Sequence, residues 1–256
     1  VTAIDAADLE RRFGALRRLY GEAGYRRLRA ARVAVVGLGG VGSWAAEALA
    51  RCGVAALVLI DLDHVAESNI NRQVQALGAT LGQAKALALR ERIADIHPGC
   101  AVSAVEDFVE AGNWPGLLPH AVDAVIDACD QVRAKVALAA WALAGERGFV
   151  SVGAAGGKHQ AQAVDAADLS LVTYDPLLAS LRQRLRREHG AARQGRIGVR
   201  CVYSRETVAG PVADGEAGGA RPGAALGCHG YGSLVTVTAT FGMVAAGEVI
   251  AQLTAA

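Results

Sequence analysis

The sequence predicts an α/β protein: a doubly wound, mainly parallel sheet with an antiparallel C-terminal extension and terminal helices. Three observations carry this. Short β-branched runs alternate with helical-period segments between residues 32 and 152. A glycine-rich turn, Gly37-Leu-Gly39-Gly40-Val-Gly42, joins the first run to the first helical segment. Beyond residue 160 the alternation weakens and a different texture begins, rich in Arg, then in Gly and Ala.

Composition bounds the class. At 256 residues the chain has room for one large α/β domain, or one domain and an extension. Its 52% hydrophobic and 20% charged residues mark it as soluble and globular. A formal net charge of +1 gives no global polyanion signal, so DNA is not an expected partner and any nucleic-acid surface is local. The cysteines, at 52, 100, 129, 201 and 228, form no Cys-x-x-Cys pair, which argues against a zinc knuckle and a disulfide framework. The start of the chain is charged and has no secretory pattern, so the expected compartment is the cytoplasm.

Residues 1–31 read as a helical arm, with Leu9, Phe13, Leu16 and Tyr20 on one face. The arm either packs on the domain or delivers an arginine, from among Arg12, Arg17 and Arg18, to a phosphate. Val33–Val36, Val41–Arg51 and Leu57–Ile60 then form a strand–helix–strand unit. In Gly37-x-Gly39-x-x-Gly42 one glycine permits the turn, one lets backbone N–H groups approach a phosphate, and one lets the helix pack on the strand. The helix N-terminus then faces an anion. Asp61 closes the second strand, where a carboxylate takes ribose hydroxyls. The amide-rich stretch after it puts Asn69, Arg72 and Gln73 where phosphates or a metal-bound oxygen would be met. Lys85, one of three lysines, stands near a helix start and suits a phosphate contact.

Val122–Ile126 reads as another buried strand, followed by Asp127-Ala-Cys-Asp130. Two carboxylates there serve a magnesium–phosphate complex, or one of them caps the helix beginning at Val132; the metal is assigned to Asp130. Phe149–Val152 is a further strand, and Gln160–Val164 an antiparallel one. The helix Leu177–Glu188 carries Arg182, Arg184, Arg186 and Arg187, the concentrated basic stretch of the chain. It is either a solvated face or, if the substrate is a nucleic acid, the phosphate-contacting surface. Residues 205–227 read as a mobile loop beside the site, and Cys228-His229 as a weak nucleophile pattern. Leu234–Leu253 is long and apolar enough to span a bilayer, but Glu248 and its Gly, Ala and Thr content favour a buried or interfacial helix over a membrane span, leaving a peripheral membrane contact open.

Taken together, Gly37-x-Gly-Gly-Val-Gly-Ser, Asp61-x-Asp63, Ser68-Asn-x-Asn-Arg-Gln73, Gly82-x-x-Lys85 and Asp127-x-x-Asp130 resemble the adenylating domain of the ubiquitin-activating-enzyme-like (ThiF-type) family, on a Rossmann-like sheet. Within that family, Arg18-Leu-Tyr-Gly, Gly153-Ala-Ala-Gly-Gly, Asp175-Pro-Leu and Cys201-Val-Tyr-Ser resemble the branch that dehydrates threonylcarbamoyladenosine in tRNA. The resemblance implies ATP and Mg²⁺ as cofactors and adenylation of a carboxylate. It divides the chain into the arm (1–31), an ATP-binding adenylation domain (32–158) and a part for tRNA binding and dimerisation (159–256). It implies ATP contacts from Gly37, Gly39, Gly40, Gly42, Asp61, Asp63, Asn69, Arg72, Gln73 and Lys85. Catalytic roles fall to Arg72, Lys85 and Asp130, with Arg18 donated across a homodimer. Cys201 is either a group carrier, in sulfur traffic with a cysteine desulfurase, or a packing residue. The rival readings are an activator of a sulfur-carrier protein, for which a zinc site would be usual, a nicotinamide oxidoreductase, and a non-catalytic nucleotide sensor.

Overall fold

The computed structural model describes residues 7–145, 147–210 and 231–255. Two short helical pieces lead in, α1 (Leu9–Phe13) and α2 (Arg17–Ala30), the second broken at Gly21, where φ is 66°. The arm is therefore not one continuous apolar face: Phe13 is buried, whereas Tyr20 is exposed. Then come β1 (Arg32–Val36), α3 (Gly42–Arg51), β2 (Ala56–Ile60), α4 (Lys85–Ile96), β3 (Ala101–Val105), β4 (Ala124–Asp127), α5 (Val132–Ala144), β5 (Gly148–Val152), β6 (Val164–Asp168), α6 (Pro176–Glu188), β7 (Arg200–Ser204) and α7 (Val235–Ala255).

The strands form one seven-stranded sheet in the order β3-β2-β1-β4-β5-β7-β6, parallel throughout except for β6 against β7. The direction in which strands are added reverses between β1 and β4, and in such sheets ligands bind at the carboxyl ends of the strands beside that point. The central strands are buried on both faces, and period-2 alternation splits them between two cores. Val33 and Val35 pack with α2, α3, α4 and α7, whereas Ala34 and Val36 pack with α5 and α6.

One of the sequence expectations shifts. The antiparallel strand lies at Val164–Asp168, not Gln160–Val164; residues 161–163 make a single tight turn. The strand is an edge, mostly half-buried, so its position follows from pairing with β7 rather than from an apolar pattern of its own. The apolar C-terminal stretch is α7. Its Val237, Phe241, Ala245, Ala246 and Val249 are buried against the sheet and α3, and Glu248 is paired with Arg200. Gly242 lets α7 approach α3 closely: a Cβ there would stand 2.5 Å from the Val41 carbonyl oxygen. Residues after 158 thus supply two strands and two helices to the same sheet and cores as the residues before it. Residues 211–227 of the expected mobile loop, with Cys228 and His229, lie outside the described residues.

Candidate active site

The carboxyl ends of β1, β2, β4 and β5 open into a cleft of about 260 Å³. Its floor is the glycine turn. Gly37 sits at φ 84°, and a Cβ there would meet the backbone of Ala128 and Cys129 at 2.9 Å. Gly42 starts α3, and its Cβ would fall 1.8 Å from the Gly37 carbonyl oxygen, so it is the packing glycine and does not line the cleft. Gly37, Gly39 and Gly40 do line it. Gly39 has open space where a side chain would be, the vacant approach that backbone N–H groups need to meet an anion.

Asp61, at the tip of β2, is buried. It accepts hydrogen bonds from the Leu38 N–H (2.6 Å) and the Asp63 N–H (2.8 Å), which fixes it against the glycine turn. Burial raises its carboxyl above the usual range, and Lys85 and the two N–H groups pull it partly back. Lys85 is the first residue of α4. Its ammonium lies 2.7 Å from Asp63 and 4.0 Å from Asp61. Arg72 reaches the cleft from a segment stitched over the glycine turn. The Trp44 indole donates to the Arg72 carbonyl (2.9 Å), and the Gln75 amide donates to the Leu38 carbonyl (2.9 Å). The Arg72 guanidinium rests on the Ser68 carbonyl (2.6 Å) and the Asn71 amide oxygen (2.9 Å), neither of them a carboxylate, so its charge stays available to an anionic ligand.

Asp127 and Asp130 divide sharply. Asp130 is exposed and lines the cleft. Asp127 is fully buried, paired with the fully buried Lys135 at 3.0 Å. Neither caps α5, whose capping position, Gln131, makes no side-chain bond. The Asp127–Lys135 pair is satisfied on every side. Ser151 donates to Asp127 (2.7 Å), as does the Cys129 thiol (2.9 Å), and Lys135 also donates to the Val152 carbonyl (2.7 Å). Burial alone would lower the Lys135 pKa, but the carboxylate outweighs it and holds the ammonium above its ordinary value. This network ties the ends of β4 and β5 to α5 directly under the loop that carries Asp130. Sequence reading missed it, because its members come from three elements and a helical lysine ordinarily reads as solvated. Cys129 lines the cleft, but burial first, then Asp127, pushes its thiol well up.

Other candidates fall elsewhere. Asn69 does not line the cleft; its amide oxygen accepts the Ala66 N–H at 3.0 Å, so it organises a turn rather than touching a ligand. Gln73 lines the cleft, and its side-chain oxygen accepts a bond from Gln75. Arg12 is bound to the carbonyls of Asp95 and Ile96, and Arg17 to Glu10 and Glu22, so that of these three candidates Arg18 alone has no side-chain partner among the described residues. Arg18 does not line the cleft. Of the basic helix, Arg182 donates to the Leu169 and Val172 carbonyls (2.9 Å each) and Arg186 to the Ala192 carbonyl (3.0 Å). Those two therefore serve the fold, while Arg187 is exposed beside Glu188. Cys201 is fully buried in β7, its thiol donating to the Val199 carbonyl and driven far up by burial, which removes it as an attacking thiolate.

The cleft has the parts that a nucleoside triphosphate requires: an open backbone cradle, Arg72 and Lys85 as cations, and Asp61 as an acceptor. Among the described residues no cluster of three or more His, Cys, Asp or Glu side chains could hold a metal ion alone. Asp130, exposed on the cleft wall, fits Mg²⁺, which is ordinarily held by one or two carboxylates together with substrate phosphates.

The ThiF family model matches residues 11–256. The tRNA threonylcarbamoyladenosine dehydratase of Escherichia coli is 41% identical, over 95% of this chain and 94% of that protein. The enzyme of the same name from Haemophilus influenzae is 37% identical, over 95% of this chain and 94% of its own length. The crystal structure of the Escherichia coli dehydratase, TcdA, in complex with ATP matches with a TM-score of 0.86 at 39% identity, covering 99% of this chain and 98% of that one. A fold, a glycine cradle and a charged cleft of this kind, in a chain matched from residue 11 to its end, lead to one assignment: the protein belongs to the ThiF family.

Proposed function

We propose that the protein uses ATP to dehydrate threonylcarbamoyladenosine in tRNA by adenylating its carboxylate. The observation that carries this reading is the convergence of Arg72, Lys85 and Asp130 on the glycine cradle, in a chain 41% identical to an enzyme named for that reaction.

The chemistry follows from the leaving group. A carboxylate resists attack because oxide would have to depart. Its oxygen instead attacks the α-phosphorus of ATP, the bond to pyrophosphate breaks, and a mixed acyl–AMP anhydride forms. An atom of the same side chain then attacks the acyl carbon, closing a ring and expelling AMP with the former carboxylate oxygen. The net change is loss of water. Because nucleophile and electrophile share one side chain, the second step is effectively unimolecular and needs no enzyme thiol, consistent with the burial of Cys201.

In this reading the backbone of Gly37–Gly40 cradles the phosphates and Asp61 accepts from the ribose. Lys85 turns from Asp63 to the triphosphate, and Arg72 offsets charge building at phosphorus. Asp130 would hold Mg²⁺, which would neutralise phosphate charge when bound. Arg18, without a side-chain partner among the described residues, completes the cleft of a second subunit in a homodimer. The enzyme works in the cytoplasm, where its tRNA is. The test is AMP formation by the purified protein with tRNA carrying the modified adenosine, followed by mass spectrometry of the nucleosides. AMP together with a nucleoside lighter by one water is expected. ATP–pyrophosphate exchange driven instead by a sulfur-carrier protein would overturn the reading.

A further inference from the structure

Tyr174 stands in the turn before α6 with φ at 55°, the left-handed region that a bulky side chain avoids. It is the one non-glycine residue with positive φ among those described. Two buried neighbours hold it there. The Lys158 ammonium donates to the Tyr174 carbonyl at 3.1 Å and also to the Glu206 carbonyl. The Asp175 carboxylate accepts the N–H groups of Leu178 and Ala154, at 2.9 Å each, capping α6 and tying the turn to the Gly153–Gly157 loop. A glycine would adopt this backbone freely, so the main chain does not call for tyrosine. Neither does the core, since Tyr174 is 57% exposed. The ring's use therefore lies outside the described residues, and strain kept at such a position points to function.

The position says what would use it. Pro176 and Leu177, directly after the turn, line the cleft that holds Arg72, Lys85 and Asp130. Tyr174 lines a shallower hollow that shares Pro176 and Val208 with that cleft. The ring thus stands at the β5 end of the site, whereas Asp61 and Lys85 stand at the β2 end. From the turn, α6 runs for roughly 20 Å, from its 13 residues at the usual rise, with Arg187 on its exposed side. An exposed aromatic at a pocket rim followed by surface cations is the arrangement that stacks an unpaired base and follows its phosphates.

We propose that Tyr174 is the stacking platform for the tRNA base next to the modified adenosine, holding the anticodon loop open while the carboxylate enters the cleft. The inference rests on the tRNA reading above and adds to it a recognition residue.

The test uses full-length protein and an anticodon stem–loop RNA carrying threonylcarbamoyladenosine, with 2-aminopurine placed in turn at each flanking position. Wild type should quench the fluorescence at one of the two positions, and Tyr174→Phe should do the same, because a phenyl ring stacks without the hydroxyl. Tyr174→Gly should lose the quenching and raise the KM for RNA about tenfold, the size of one stacking interaction, with the KM for ATP unchanged. Glycine relieves the backbone, so its melting temperature should not fall, and loss of fold cannot imitate the result. Quenching and KM equal to wild type in Tyr174→Gly would overturn the platform while leaving the tRNA reading intact. A wild-type protein that neither binds this RNA nor forms AMP with it would instead overturn the tRNA reading, and the platform with it.

Discussion

Lys85 and Lys135 form the same bond at two depths. Each belongs to the first turn or so of a helix, and each pairs with an aspartate at or just past the carboxyl end of a parallel strand, at 2.7 Å and 3.0 Å. The partner of Lys85 is 58% exposed, whereas both members of the Lys135 pair are wholly buried. Water screens Asp63, so Lys85 gives up little when it turns to a triphosphate. Asp127 has no water, and its oxygens are already committed to Lys135, Ser151 and Cys129. The open pair can exchange partners and so serves chemistry; the closed pair cannot, and so fixes the ground on which Asp130 stands.

Breaking the closed pair should have the largest effect. Lys135→Ala strands a buried carboxylate and should cost about 3–5 kcal/mol in urea denaturation. Replacing both members with apolar residues, Asp127→Leu with Lys135→Met, should cost less than either single removal. A double variant as unstable as the sum of the singles would mean that the two side chains do not interact.

The open pair should behave in the opposite way. Lys85→Ala should cost less stability than Lys135→Ala, because Asp63 keeps its water, yet form AMP about 10²–10³-fold more slowly, the effect expected for one electrostatic interaction in a transition state. Asp130→Ala should likewise remain folded and stop adenylation. An active Asp130→Ala enzyme would remove the magnesium assignment.

The same division recurs on α6. Reversing Arg184 and Arg187 to Glu should weaken RNA binding and flatten its salt dependence by about two in log–log slope, one for each phosphate no longer neutralised. Arg182→Ala should instead lower stability and leave that slope alone, since its guanidinium is spent on two carbonyls.

The smallest effect sharpens the comparison from a third direction. His97 is buried against Arg29, at 3.0 Å, with Phe13 over its ring, and no carboxylate among the described residues bonds to it. Burial first, then Arg29 and Arg12, push its pKa below the ordinary histidine value. The unfolded chain therefore binds the proton more readily, and stability falls as pH drops through about 6.5, the ordinary histidine value. His97→Gln should flatten that slope whatever it does to the absolute stability.

What the sequence made legible follows the same line between local and distant causes. The unit from Arg32 to Ile60 could be read because its strands, glycines and helix lie in one stretch, and each residue's role depends on near neighbours. Lys85 and Asp130 could be placed because they stand at the starts of elements beside a turn that binds ligands. Asn69 misled because an amide-rich stretch looks the same whether it meets a ligand or caps its own turn. The basic run misled at Arg182 and Arg186 because charge in a sequence does not say which carbonyls lie within reach. The Lys135 network was hidden because Ser151 and Val152 reach it from another strand.

One consequence reaches the bench. The chain has three lysines, and all three are buried, at 6%, 0% and 3% exposure. Its outward cations are almost all guanidinium groups. An acylating reagent or a lysine-specific protease therefore finds few targets on the native molecule and reacts as segments open. Lys85 would report the cleft, Lys135 the centre of the sheet and Lys158 the turn beneath Tyr174. Mass spectrometry of timed acetylation would then follow three separate openings in one unlabelled protein, with ATP slowing the first of them most.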